Sequence, residues 1–247
     1  HFAICEHFGI EMIPVELGED GPDVAEVARL VADPAVKGIW CVPKYANPCG
    51  YTYSDEVVRG LAALEPAASD FRIFWDNAYA VHHLYDDPTQ QDHVLNIIDA
   101  CADAGNPDMV FEFCSTSKVT LPGAGISAFV SSVANVNEML AAMGAQTIGF
   151  DKLNQLRHVR FLKDAKGIAA HMSKHAKLLR PRFEKVLEIF DEDLGGTGIG
   201  SWTRPRGGYF ISFTGLDGTA KATVAKAKDA GVALTGAGAT WPYGNDP

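Results

Sequence analysis

Four residues able to do chemistry each follow an apolar run in this chain. Lys118 leaves the run Met109 to Phe113 through Phe113-Cys114-Ser115-Thr116-Ser117-Lys118, and Leu121-Pro122-Gly123-Ala124-Gly125 comes next. Asp76 and Tyr79 stand in Asp76-Asn77-Ala78-Tyr79, directly after Phe71-Arg72-Ile73-Phe74-Trp75. Asn47 stands in Pro43-Lys44-Tyr45-Ala46-Asn47-Pro48-Cys49-Gly50, after Val36 to Val42. A primary amine attacks carbonyls and, once released, acts as a base. With a carboxylate, a phenol and a carboxamide at one edge, it makes up the parts needed to hold and use pyridoxal 5'-phosphate. In that reading Lys118 forms a Schiff base with the aldehyde and, once a substrate amine displaces it, moves the proton between Cα and C4′. Asp76 keeps the pyridine nitrogen protonated, so that the ring can accept electron density. Tyr79 and Asn47 hydrogen-bond the ring's 3′ oxygen, and Ser115 and Ser117 with the backbone after them bind the phosphate. Each residue alone also has a plainer role: a surface lysine, an Asn-Pro turn, a helix-capping aspartate, a core aromatic, capping serines. The joint order, each residue after its own strand, is hard to obtain from those roles.

The elements that must position these residues read as an alternation of strands and helices. Ile10 to Val15 is predicted as a short strand. Asp23 caps a helix whose apolar residues Val24, Val27, Ala28 and Val31 recur with helical spacing. Val36 to Val42 and Phe71 to Trp75 are strands, and between them Ser54 caps a helix carrying Val57, Val58, Leu61 and Leu64. A third helix carries Val94, Ile97, Ile98 and Cys101 before the strand Met109 to Phe113. Near-continuous apolar strands between amphipathic helices predict a three-layer α/β fold, a mostly parallel sheet with helices on both faces. Parallel strands would put Asn47, Asp76, Tyr79 and Lys118 beyond their carboxyl ends, on one edge of the sheet. Ile126 to Ser131 adds a strand and Val136 to Met143 a helix. Residues 152–190 are helical throughout, with Pro181 expected to kink or divide them, and Gly195-Gly196-Thr197-Gly198 ends the stretch. The strand Gly207 to Phe213, the helix Thr219 to Ala230 and the strand Val232 to Leu234 form a smaller α+β unit. Residues 1–165 are thus expected to be part of a large cofactor-binding domain, and residues 166–247 a connecting helix and part of a small domain.

Composition narrows the function classes. The chain has 247 residues, 47% hydrophobic and 21% charged, enough for a large core. Its formal net charge of −10 argues against a nucleic-acid partner, which needs a clustered basic face. Five scattered cysteines lack the paired spacing of a zinc site and the density of a disulfide scaffold, so a reducing cytoplasm is expected and no metal. His82-His83 has no third ligand at suitable spacing. No apolar run approaches the ~20 residues of a membrane span. The chain opens at His1 inside what reads as a continuing element, and truncation at both ends is expected.

Three signatures carry a family resemblance. Asn47-Pro48-Cys49-Gly50, Asp76-Asn77-Ala78-Tyr79 and Ser115-Thr116-Ser117-Lys118 resemble the Asn-Pro-x-Gly, Asp-x-x-Tyr and Ser-x-x-Lys signatures of fold-type I, class I aminotransferases. More narrowly, Ser115 to Ser127, Gln155 to Phe161 and Pro205-Arg206-Gly207-Gly208-Tyr209-Phe210 resemble the MocR-type aspartate aminotransferase subgroup. The resemblance implies a homodimer, amino acid and 2-oxo acid substrates, and transamination of aspartate with 2-oxoglutarate. Another amino donor is the near alternative. A second reading is the effector-sensing half of a transcription factor whose DNA-binding domain lies elsewhere. The chain departs from the pattern at Gly125, where many class I enzymes carry an arginine for the cofactor phosphate, and at Cys49, where threonine is commoner. The family's upstream phosphate loop, its ring-stacking aromatic and its C-terminal arginine for the substrate carboxylate would fall outside the chain.

Overall fold

The computed structural model describes residues 1–244. Helix α1 (Phe2–His7) precedes a two-residue antiparallel ladder of β1 (Leu17–Gly18) and β2 (Gly21–Pro22). The central sheet consists of β3 (Gly38–Cys41), β4 (Arg72–Asp76), β5 (Val110–Ser115) and β6 (Ser127–Val130), in that order. Strands β3, β4 and β5 are parallel, with Cys41 opposite Trp75 and Asp76 opposite Phe113. Strand β6 is antiparallel to β5, with Ser115 opposite Ser127. The chain between them, residues 116–126, is therefore an excursion at the sheet's carboxyl edge, and it carries Lys118.

Helices α2 (Val24–Leu30), α3 (Asp55–Ala62) and α4 (Ile97–Asp103) form because capping and periodicity agree. The side chains of Asp23, Ser54 and Asn96 accept the first free backbone N–H groups of the three helices. Their apolar stripes bury Val27, Val58, Leu61, Ile97 and Cys101 in one core with Cys41, Ile73, Trp75 and Val110 of the sheet. Full burial of each such aliphatic side chain is worth roughly 1.5–3 kcal/mol. Strand alternation sends Trp40, Phe74, Phe111 and Phe129 to the opposite face. There Trp40 stacks on Phe74 at 5.7 Å, and Phe74, Phe111 and Phe129 meet edge to face. Asp76 shares this face.

Helix α5 (Val133–Gln146) is tethered by Asn135, whose Nδ2 donates to the Asp108 carbonyl and to Ser131 Oγ, both at 2.8 Å. Helices α6 (Lys152–Leu162) and α7 (Ala165–Ile189) follow, then a π-helical turn Phe190–Leu194. Strands β7 (Gly200–Trp202) and β8 (Phe213–Gly215) pair with each other, and α8 (Ala220–Asp229) ends the regular structure before a short 3-10 turn, Pro242–Gly244.

Four expectations from sequence need correction. Residues 10–15 are not a strand: they join no ladder among the described residues, Pro14 supplies no donor, and Ile10 and Ile13 are exposed. Pro181 does not divide the helical stretch, because α7 runs through it and the break falls at Lys163, whose φ is 65°. Pro181 and Lys177 both lie on the exposed side of α7, where the carbonyl deprived of its donor meets solvent. Gly207 to Phe213 is not a strand. Gly207 makes a single bridge to His83, and Gly208, at φ 77°, leaves the β region. Val232 to Leu234 joins no ladder among the described residues, and both ends of that segment are exposed.

Candidate functional site

The excursion that carries Lys118 is held by its main chain. Thr116 N–H donates to the Ile126 carbonyl at 2.8 Å, and Ile126 N–H returns to Thr116 Oγ1 at 2.9 Å. Val119 and Thr120 N–H both donate to the Thr116 carbonyl, closing one helical turn. Gly125 is part of that closure: a Cβ there would lie 2.7 Å from Ser117 Oγ and 2.8 Å from Ser117 N. The position at which the family resemblance raises the question of an arginine is thus one where, in this conformation, only glycine fits.

Three histidines brace the same turn. His158, buried on α6, faces the Asn154 carbonyl with Nδ1 at 2.9 Å, and a carbonyl only accepts, so Nδ1 carries the proton. In the uncharged ring Nε2 then accepts from Thr116 Oγ1 at 2.9 Å. His171, on α7, donates from Nε2 to the Val119 carbonyl at 2.8 Å. His82 donates from Nε2 to the Lys118 carbonyl at 3.3 Å, and Tyr209 Oη–H donates to the same oxygen at 3.0 Å.

The side chain of Lys118 is exposed, and its Nζ stands 4.3 Å from the centroid of the Tyr79 ring. Tyr79 is 2% exposed and packs edge to face with His82, Tyr209 and Phe210. Burial raises the Asp76 carboxyl above its ordinary pKa, while the Lys118 charge and the indole N–H of Trp40 pull it back. A cation placed against Asp76 would therefore favour its ionised form. Asn77 N–H extends the ladder to the Phe113 carbonyl, and its Nδ2 donates to Glu112 Oε1 at 3.0 Å. Asn47 is exposed on the loop after β3. Ser117 N–H donates to Ser115 Oγ at 3.4 Å, so both serines lie in the lysine turn.

The structure thus brings Asp76, Tyr79 and Lys118 together and sets Asn47 and the serines on the same edge of the parallel strands. Such an arrangement can bind a planar cationic heterocycle against Asp76 and present an amine to it. Residues with less legible roles support this edge. Lys44, only 7% exposed, donates from Nζ to the Ala80 carbonyl at 3.0 Å and ties the loop after β3 to the turn after β4. Burial lowers its pKa, and Asp92 opposes that shift. The signal for Lys44 in sequence is faint, a lysine between Pro43 and Tyr45 inside an otherwise apolar segment. His82 offers a clearer one, a histidine three residues after Tyr79 and next to Val81. Arg204 pairs with Asp191, and Arg206 lies 3.8 Å from Asp92. No cluster of metal-ligating side chains occurs among the described residues, and no helix among them is long and apolar enough to cross a membrane. All five cysteines are free.

Comparison with known proteins gives the family. The chain is 49% identical over 247 residues to an aspartate aminotransferase of Corynebacterium glutamicum, a match covering 100% of this chain and 56% of that protein. The crystal structure of an aspartate transaminase from the same organism superposes with a TM-score of 0.96 at 49% identity, covering 100% of this chain and 57% of that one. An α-aminoadipate aminotransferase of Thermus thermophilus, solved with N-(5'-phosphopyridoxyl)-L-leucine, shares the fold at a TM-score of 0.75 and 20% identity, over 94% of this chain and 58% of that one. The chain spans a little over half the length of the curated relatives it matches, 57% and 56% of two of them. Its match to the aspartate amino-transferase family runs over residues 1–247, and the chain belongs to that family.

Proposed function

We propose that this chain carries the cofactor-binding core of a pyridoxal-phosphate-dependent aminotransferase that moves the amino group of aspartate to 2-oxoglutarate. The observation that carries the reading is the Lys118 amine, poised 4.3 Å over the Tyr79 ring beside the half-buried carboxyl of Asp76. The residues fit the cofactor. Asp76 lacks a full counter-charge, which a protonated ring nitrogen would supply, and Tyr79 offers a flat aromatic beside it. Gly125 leaves the Ser117 hydroxyl and N–H uncovered by any side chain of its own.

When bound, pyridoxal phosphate supplies an aldehyde that captures amines and a ring that takes up electron density from Cα. Lys118 would hold this aldehyde through its amine and, when that amine is free, would take the proton from substrate Cα. Asp76 would keep the ring nitrogen protonated. Tyr79 and Asn47 would hydrogen-bond the 3′ oxygen, and Ser115 and Ser117 would bind the phosphate. The name of the C. glutamicum relative supports aspartate as donor, and 2-oxoglutarate as acceptor follows from the resemblance of the Pro205 to Phe210 and Gln155 to Phe161 segments. Residues 1–165 form part of the large domain, and residues 166–247 the connecting helix and part of the small one. Exposed apolar side chains along α5 and α6, among them Val133, Leu140, Leu153 and Phe161, suit the interface of a homodimer working in the cytoplasm.

The test is the visible absorption spectrum with pyridoxal phosphate, before and after aspartate, alongside Lys118→Ala. A band that depends on Lys118 and is bleached by aspartate is the expected result. A band of equal strength in Lys118→Ala would remove the central assignment, and a Lys118-dependent band that no amino acid alters would remove transamination.

A further inference from the structure

We propose that His82 is a positioning residue for Lys118, acting with Tyr209 through the lysine's own carbonyl oxygen; the inference rests on Lys118 being the reacting amine. A peptide carbonyl offers two lone pairs. Here one meets Tyr209 Oη–H at 3.0 Å and the other His82 Nε2–H at 3.3 Å. Fixing that oxygen fixes the peptide plane after Lys118 and so the direction in which its side chain leaves the backbone. Neither donor is local, since the two lie 36 and 91 residues away in sequence. Local turn geometry therefore does not supply this restraint.

The placement of His82 argues that its donor is what matters. It follows Tyr79 by three residues, so a single turn sets a phenol ring under the Lys118 ammonium and an imidazole against the Lys118 carbonyl. The ring is 4% exposed and packs on Tyr79 at 5.6 Å and Tyr209 at 5.3 Å. Its Nδ1 is buried without a hydrogen-bond partner. A ring kept only to fill that space would be better served by an apolar side chain, which leaves no dry nitrogen. Tyr209 reaches the site because its segment is laid along the same turn: Leu84 N–H donates to the Arg206 carbonyl at 2.9 Å, and Gly208 N–H to the His82 carbonyl at 2.8 Å. His82 thus touches the lysine through its side chain and the Tyr209 segment through its backbone.

The experiment compares His82→Phe, His82→Gln and Tyr209→Phe in the full chain, with thermal melts as a control on folding. Glutamine reaches the Nε2 position with an N–H donor, whereas phenylalanine keeps the shape and loses the donor. With pyridoxal phosphate bound, the pH midpoint of the lysine-dependent visible band should move by about 0.5 unit or more in His82→Phe and return in His82→Gln. In the cofactor-free chain, acetylation of Lys118 by acetic anhydride, measured against exposed Lys152 by mass spectrometry, should change ~3- to 10-fold in His82→Phe and Tyr209→Phe and be restored in His82→Gln. Wild-type midpoint and wild-type labelling in His82→Phe would overturn the proposal. So would a failure of His82→Gln to rescue, which would leave only a packing role. The labelling readout needs no cofactor, so absence of any lysine-dependent band in the wild type would refute the proposed function while the positioning claim stood or fell on the labelling alone. Should His82→Phe not fold, Tyr209→Phe carries the same two readouts.

Discussion

Replacing Gly207 by alanine should unsettle the lysine edge from a distance. A Cβ at Gly207 would lie 2.2 Å from Tyr45 Cε2, 2.4 Å from Tyr45 Cζ and 2.5 Å from the His82 carbonyl oxygen. Tyr45 cannot swing aside at low cost, because it is fully buried and its hydroxyl is fixed by His83 Nδ1 at 2.8 Å and Asp92 N–H at 3.1 Å. The segment 206–209 must therefore lift. Overpacking of this kind costs about 1–3 kcal/mol. Lifting also strains the bond from Gly208 N–H to His82 and that from Tyr209 to Lys118, each worth ~1 kcal/mol net. The sum, roughly 3–5 kcal/mol, corresponds to a melting temperature lower by about 6–20 °C for a domain of this size. The matched control is Gly144→Ala in α5, where nothing lies within 4 Å of the added Cβ and helix propensity should add ~0.5–1 kcal/mol. Circular dichroism melts of both variants decide the matter. A Gly207→Ala protein melting within ~2 °C of wild type would show that Tyr45 and His82 do not form a fixed wall behind the Tyr209 segment.

Acid should weaken the same region. Burial lowers the His82 pKa from 6.5 to about 4, and burial together with the Lys44 charge lowers His83 to about 4. Between pH 6.5 and 4 the unfolded chain binds protons that the folded chain refuses, so stability is full above 6.5 and falls with pH down to about 4. Buried His82 contributes up to about 3 kcal/mol to this loss, and the more exposed His83 less. Denaturant titrations at neutral and acid pH should show the slope, and His82→Gln, which does not titrate, should flatten it; an unchanged slope in that variant would refute the assignment. Asp76→Asn should keep a lysine-dependent visible band, since Lys118 is intact, but lower turnover by on the order of 10²-fold or more, because an amide cannot hold the ring nitrogen protonated. Single-turnover kinetics with aspartate check this, and near wild-type rates would sink the role given to Asp76.

What the sequence discloses here is largely local. Asp23 and Ser54 cap helices as their spacing predicts, the three parallel strands occupy the apolar runs, and Lys118, Asp76 and Tyr79 meet because strand order alone sends them to one edge. Long-range demands were harder to read. Gly207 and Gly208 sit before Tyr209-Phe210-Ile211-Ser212-Phe213, a pattern that predicts a strand, yet they are glycines because Tyr45 leaves no room for a side chain, and that wall is 162 residues before Gly207 in sequence. Pro181 signals a break, but a proline on the exposed side of a long helix forfeits one solvated bond and nothing more. Ile10 to Val15 has the composition of a strand but no strand to pair with among the described residues. His82 beside His83 suggests metal or solvent before it suggests a hydrogen bond to a lysine carbonyl, since the acceptor is a backbone atom that no side-chain pattern reveals.

These long-range contacts share one physical logic. Residues 116–119 are gripped from four separate stretches, by His82, His171 and Tyr209 at main-chain carbonyls and by His158 at the Thr116 hydroxyl, while the Lys118 side chain remains exposed with its Nζ over the Tyr79 ring. An amine that must bond a cofactor, leave it and then take a proton needs a mobile head on a fixed base, because misplacing a reacting group by about 1 Å can cost on the order of 10²-fold in rate. Main-chain bonds supply the fixed base without consuming the side chain's own donors. A neutral His82 suits the task, since its N–H directed at the Lys118 carbonyl adds no charge that would compete with the Lys118 ammonium for Asp76. The acid sensitivity of His82 and the reach of Gly207→Ala to Lys118 are two consequences of that one arrangement.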